Sequence, residues 1–169
     1  MGPATRRYLD YAATSAVRPD GVVDAVAAYL RSCGATPGRG GHALSVEASR
    51  MALRCRRAVM DVLGLEGDPG RVAFMQNATH ALNTALWGVL RPGDAVVVTV
   101  FDHNAVLRPV HRLARERNVE VRMVGGAPDG EVDLAGAERL LEGARLLVVN
   151  AASNVLGTAL PVRALAERA

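Results

Sequence analysis

A chain of 169 residues, half of them apolar, can form one domain with a sizeable core or part of a larger one. The net charge of +3 and the pI near 9.4 come from dispersed arginines, and with aromatics at only 4% there is no basic patch interleaved with aromatic residues, which argues against a nucleic-acid partner. Two cysteines are too few for a disulfide framework, no apolar run approaches the length of a membrane span, and the N-terminal stretch leads into no apolar signal region, so a soluble cytoplasmic protein without a membrane partner is expected.

Residues 8–14, Tyr-Leu-Asp-Tyr-Ala-Ala-Thr, read as a short extended arm. Pro19-Asp20 opens a helix with Val22, Val23, Val26, Ala27 and Leu30 on one face. The stretch 34–42 is too rich in glycine for regular structure. Ser45 and Glu47 open a long helix with an apolar stripe of Val46, Met51, Cys55, Ala58, Val59, Val62 and Leu63, and Gly64 ends it. On that stripe Cys55 reads as a small core residue, whereas the run Arg54-Cys55-Arg56-Arg57 reads as a solvated helix face. Cys33, just before the glycine-rich stretch, has no obvious place.

From residue 71 the pattern becomes regular. Strands are expected at 71–75, 95–100, 119–124 and 145–149, and helices at 79–90, 104–117, 133–142 and from Pro161. Such alternation implies an α/β fold of three αβα layers, and continuous apolar strands imply a mostly parallel sheet buried on both faces. Residues 1–70 then form an arm and helices, and 71–169 the alternating core.

In parallel sheets the site lies at the carboxyl ends of the strands. That rule selects Gln76–Thr79, Phe101–Asn104 and Asn150–Gly157, which carry the polar residues Thr79, Asp102, His103, Asn104, Ser153 and Asn154. At Ala78 and Thr79 a helix begins, and its unpaired N–H groups and positive dipole end suit a phosphate; capping by Asn77 or Thr79 explains the same residues. His103 can stack on an aromatic ligand or move a proton, or it can cap the following helix. Asn154 can hydrogen-bond a ligand hydroxyl or phenolate, or it can form a turn. Other chemistries fit less well. No strand is followed by a dinucleotide-binding glycine pattern, and a Walker A loop is impossible because all 20 basic residues are Arg. No serine sits in a nucleophile elbow, and His42, His80, His103 and His111 lack zinc-ligand spacing, so no metal is expected.

A phosphate cup, a ring-stacking His and an amide near a phenolic oxygen together describe pyridoxal 5'-phosphate. The segments Tyr8–Thr14, Pro37–Ser45, Asn77–Asn83, Asp102–Pro109 and Ala152–Thr158 occur in the order and at about the spacing of the class V aminotransferase-fold enzymes. Across essentially its whole length the chain resembles the N-terminal part of that family, in its cysteine desulfurase-like group. The resemblance implies that residues 1–169 are part of the pyridoxal-phosphate-binding large domain of fold type I, in an enzyme that takes sulfur from L-cysteine. A class V aminotransferase or a selenocysteine lyase is the alternative activity, and a non-catalytic remnant or half of a split protein is the alternative to an enzyme.

By the same resemblance Ala78 and Thr79 bind the cofactor phosphate, His103 stacks on the pyridine ring and assists proton transfer, and Asn154 hydrogen-bonds the 3-oxygen. Ala12, Ala13 and the loop Arg39–His42 would border the substrate pocket, and the enzyme would be a homodimer. His80 stands where the family usually has Glu. In the family an Asp for the pyridine nitrogen, the cofactor-binding Lys, a substrate-binding Arg and, in desulfurases, a persulfide-forming Cys follow later than Ala169, and neither Cys33 nor Cys55 matches that Cys. With no Lys, the chain by itself is expected to be inactive.

Overall fold

The computed structural model describes residues 7–169, which divide into two compact units, one ending at Phe74 and the other beginning at Met75.

The first unit holds helices α1 (Val22–Ser32) and α2 (Ala43–Leu63), followed by a single 3-10 turn, Pro69–Arg71. His42 caps α2, its Nδ1 accepting from the Ser45 N–H at 3.2 Å. Gly64 ends α2 in the left-handed conformation, φ 63°, which lets the Leu65 N–H reach back to Met60 O at 2.9 Å. The glycine-rich loop is tied to the start of α2: Ser45 Oγ donates to Thr36 O, and the Gly38 N–H donates to Ser49 Oγ.

Two expectations for this unit need correction, the extended arm and the burial of Cys55. Residues 8–14 are not extended: the Ala13 and Thr14 N–H groups both donate to Asp10 O, and the Tyr8 hydroxyl donates to Asp10 O and Thr14 O, which curls the segment into a turn. The apolar face of α1 is uncovered, with Val23 and Leu30 about 70% exposed and no residue of the helix buried. On α2 the buried residues are Ser45, Ala48 and Met60, whereas Cys55 is exposed. Amphipathic spacing defines a face, but burial needs something to cover it.

The second unit is a three-layer sandwich. Its elements are α3 (Ala78–Val89), β1 (Ala95–Thr99), α4 (Asn104–Arg117), β2 (Glu120–Val124), α5 (Leu134–Leu141), β3 (Leu146–Leu147) and α6 (Val162–Ala166). The sheet is parallel in the order β2-β1-β3, with Val97 beside Arg122 on one side and Leu147 on the other. β1 is buried at every position because it is the central strand. Its side chains alternate between two cores. Val96 and Val98 pack with Leu86 of α3, its C-cap Leu90, and Val106, Val110 and Leu113 of α4. Val97 packs on the opposite face with Val124, Ala137, Leu141, Leu160 and Leu165, the side of α5 and α6.

The strand expected at 71–75 is absent. Pro69–Arg71 form the 3-10 turn, Val72 follows in extended geometry, and no strand among the described residues pairs with this segment, so an apolar run remains without a ladder. β3 is shorter than the expected 145–149, although the Arg145 and Val148 N–H groups still donate to β1 at Ala95 O and Val97 O.

Gly130 is constrained both by its backbone conformation and by a close neighbour. Gly130 has φ 95°, and a Cβ there would lie 2.5 Å from Thr158 Oγ1. Gly130→Ala is expected to lower stability by about 1–3 kcal/mol, because it adds a left-handed non-glycine residue and a steric overlap. Urea unfolding checks this, and unchanged stability would contradict the packing described.

Candidate functional site

The strand order creates the site. From β1 the chain passes through α4 on one face of the sheet to β2, then through α5 on the other face to β3, which lies on the opposite side of β1. The strand order therefore reverses between β1 and β3, and in parallel sheets a crevice opens at the carboxyl ends of such a pair. A cleft of about 350 Å³ lies there, between Val100–Asn104 after β1 and Ser153–Leu156 after β3. A neighbouring cleft of about 370 Å³ is lined by Thr79 and Asn83 of α3 and by His103, Asn104 and Arg108 at the start of α4. His103 and Asn104 border both. The volumes fall within the range of small-molecule sites, roughly 300–1,000 Å³.

Thr79 sits in the first turn of α3, one residue after Ala78, and both are exposed. Asn77 is the N-cap, its Oδ1 accepting from the His80 N–H at 2.8 Å, while Asn77 O accepts from Ala81. The cap therefore serves the third residue of the helix and leaves the N–H groups of Ala78 and Thr79 to point out of the helix end, where the dipole is positive. Capping and phosphate binding are thus compatible here, because they use different N–H groups.

His103 is the N-cap of α4. Its Nδ1 accepts from the Ala105 N–H at 3.0 Å. In the neutral imidazole this assigns the proton to Nε2, which leaves Nε2–H as the ring's free donor. The ring is exposed on the shared wall of the two clefts, so capping leaves its face and Nε2–H accessible.

Asn154 projects from a tight loop. Ser153 is 5% exposed; its Oγ accepts from the N–H groups of Val155 and Leu156 at 3.3 and 3.1 Å, and its backbone bonds with Thr158 and Gly157 close the turn. Asn154, next to this buried serine, is exposed at the rim of the first cleft.

The least expected feature is Asp102, which is 6% exposed. Its Oδ2 accepts from the Thr99 N–H at 2.6 Å and the Thr99 hydroxyl at 3.0 Å, and its Oδ1 accepts from the Asn150 N–H at 2.8 Å. Burial pushes the Asp102 carboxyl above its ordinary value, and the hydrogen bonds from Thr99 and Asn150 draw it partly back. In sequence Asp102 is one polar residue among several after a strand. The available signal was its position three residues beyond Thr99, the spacing of a side chain that folds back on the strand end. Among the described residues no group of three His, Cys, Asp or Glu side chains is placed to hold a metal ion, and no helix is long and apolar enough to cross a membrane.

Residues 7–169 match the family described as Aminotransferase class-V. The cysteine desulfurase of Haloferax volcanii is 37% identical over 167 residues, an alignment that covers 96% of this chain and 39% of that protein. A probable cysteine desulfurase of Pyrococcus abyssi is 34% identical, covering 89% of this chain and 37% of its own length. Among solved structures, the apo cysteine desulfurase of Thermococcus onnurineus NA1 superposes with a TM-score of 0.85 at 31% identity, over 94% of this chain and 40% of that one. The chain thus spans about 40% of the length of these relatives, and the part it matches is the N-terminal one.

Proposed function

The chain belongs to the class V aminotransferase family, and from that premise we propose that it supplies the cofactor cradle of a pyridoxal-phosphate-dependent enzyme that removes sulfur from L-cysteine. The observation that carries this reading is the position of His103, which walls both clefts, with Thr79 in one and Asn154 in the other. The relatives named as cysteine desulfurases support the substrate. Class V aminotransferase and selenocysteine lyase remain the alternative activities, and a cytoplasmic homodimer is the form proposed for the enzyme.

The residues fit the cofactor's chemistry. The N–H groups of Ala78 and Thr79, with the Thr79 hydroxyl, offer donors to a phosphate at the positive end of a 12-residue helix. The His103 ring offers a flat face and an Nε2–H donor beside the pyridine ring. The Asn154 amide offers a donor to the 3-oxygen. When bound, pyridoxal phosphate supplies the electron sink that stabilises a carbanion. The protein binds the phosphate, orients the ring against His103 and gives that imidazole a position from which to hold or move a proton at Nε2.

The chain alone should bind weakly. The helix dipole contributes about 0.3–2 kcal/mol and each hydrogen bond to the charged phosphate about 1.5–3 kcal/mol, against an association cost of at least about 4 kcal/mol. Pyridoxine 5'-phosphate, which has the ring, the phosphate and the 3-hydroxyl but no aldehyde, is the suitable probe. In an NMR titration it is expected to shift the amides of Ala78, Thr79, His103 and Asn154 together. Thr79→Ala is expected to weaken binding about tenfold, the loss of one charge-assisted hydrogen bond. Shifts confined to other residues, or an unchanged affinity in Thr79→Ala, would remove the cofactor reading.

A further inference from the structure

Two segments form the walls of the cleft at the strand-order reversal. One leaves β1 and carries His103; the other leaves β3 and carries Asn154. The β1 wall belongs to a strand with partners on both sides, whereas β3 has only two ladder residues. After Val148, whose N–H donates to Val97 O, the described cross-links from this exit to the β1 exit come from Asn150. Its N–H donates to Asp102 Oδ1 at 2.8 Å, and its Nδ2 donates to Phe101 O at 3.4 Å. Asp102 and Asn150 are 48 residues apart in the chain. The other carboxylate oxygen is fixed by two donors from Thr99, and Thr99 Oγ1 in turn accepts from the Phe101 N–H at 3.2 Å. Thr99 is itself fully buried. One carboxylate is thus anchored in the central strand on one side and holds the opposite wall on the other.

We propose that Asp102 is a positioning residue, a clamp whose buried carboxylate sets the separation of the His103 and Asn154 walls and so lets one pyridine ring meet both. The proposal rests on the cofactor reading above. It assigns Asp102 no contact with the ligand; its effect passes through the two wall segments. A carboxylate suits this position because it accepts three hydrogen bonds and donates none. In Asp102→Asn one oxygen can still serve Thr99, but the amide NH₂ then faces the Asn150 N–H, and the shorter of the two Asn150 bonds across the cleft is lost.

The test compares three variants of the chain: Asp102→Asn, Thr99→Val, which removes one anchor of the carboxylate, and Leu113→Ala, which lowers stability from a core position away from the cleft. Amide hydrogen exchange of the free protein reads the clamp itself. Asp102→Asn is expected to speed exchange about tenfold at residues 149–156 relative to the remainder of the second unit, while Leu113→Ala speeds exchange throughout that unit. NMR titrations read the consequence. Asp102→Asn is expected to weaken pyridoxine 5'-phosphate about tenfold and leave inorganic phosphate unchanged, because the phosphate donors of α3 do not depend on the clamp. Thr99→Val should show the same pattern to a smaller degree, and it decides the matter if Asp102→Asn does not fold. Exchange at 149–156 that rises no more than in Leu113→Ala, or loss of phosphate and ring binding in equal measure, would overturn the proposal. If the unaltered chain shows no shifts at His103 and Asn154 with pyridoxine 5'-phosphate, the cofactor reading fails by itself, and the exchange result still decides the clamp.

Discussion

Incubated with L-cysteine, a thiol reductant and pyridoxal phosphate, the isolated chain is expected to release no sulfide above the rate of the free cofactor. Covalent attachment of a carbonyl cofactor needs an amine nucleophile, which enzymes of this chemistry take from lysine. The chain has 20 arginines and no lysine, and a guanidinium stays protonated at any working pH, so it cannot take that role. On the proposed cofactor reading the clefts beside His103 offer donors to a phosphate and a ring, and such contacts hold and orient a ligand without activating it. Borohydride reduction followed by peptide mapping separates the cases. Modification confined to the N-terminal amine, with no turnover, is the expected result. A stoichiometric adduct within the folded chain, accompanied by cysteine-dependent sulfide release, would show that another group does the work of the lysine.

For stability the largest effect is expected at Leu113. It lies on the buried side of α4, is fully enclosed, and packs with Val96 and Val98 of the central strand and Leu86 of α3. Removing its isobutyl group leaves a cavity that this interdigitated core can close only in part, so Leu113→Ala is expected to cost about 2–5 kcal/mol. That is a large fraction of the roughly 5–15 kcal/mol typical of a folded domain. Leu30→Ala on the exposed face of α1 should change stability by no more than about 0.5 kcal/mol. Trp87, the single tryptophan, lies in α3 with Arg117 and Arg112 against its ring at 4.6 and 5.4 Å, so its fluorescence reports unfolding of the second unit alone. Equal losses at Leu113 and Leu30 would contradict the division between a packed core and an uncovered face.

The elements from Ala78 onward were legible in sequence because each pairs an apolar period with its own stop signal. Asn104–Arg117 ends at Asn118 in the left-handed conformation, and Leu134–Leu141 begins behind the Asp133 cap. The run 95–99 could be read as a central strand because it is apolar at both parities, which only a strand buried on two faces requires. The strand expected at 71–75 failed for the opposite reason: an apolar run shows that burial is favoured but not that a neighbouring strand is present to receive its hydrogen bonds. Cys55 failed likewise, since helical spacing says nothing of what lies opposite. At the site, His103 and Asn154 could be singled out because strand-end loops draw attention to polar side chains, whereas Thr79 was selected behind a strand that is absent and owes its place to the first turn of α3. The bond of Asp102 to Asn150 could not, because it joins residues 48 apart in the chain, and an aspartate in a loop reads as solvated.

In the function proposed above, Ala78, Thr79, His103 and Asn154 hold one pyridoxal phosphate between them. A crystal structure of the chain with a high concentration of pyridoxine 5'-phosphate tests it most directly. The phosphate is expected on the N–H groups of Ala78 and Thr79, the pyridine ring against the His103 imidazole, and the 3-oxygen within hydrogen-bond distance of the Asn154 amide. A phosphate bound away from the start of α3, or a ring that meets neither His103 nor Asn154, would contradict it.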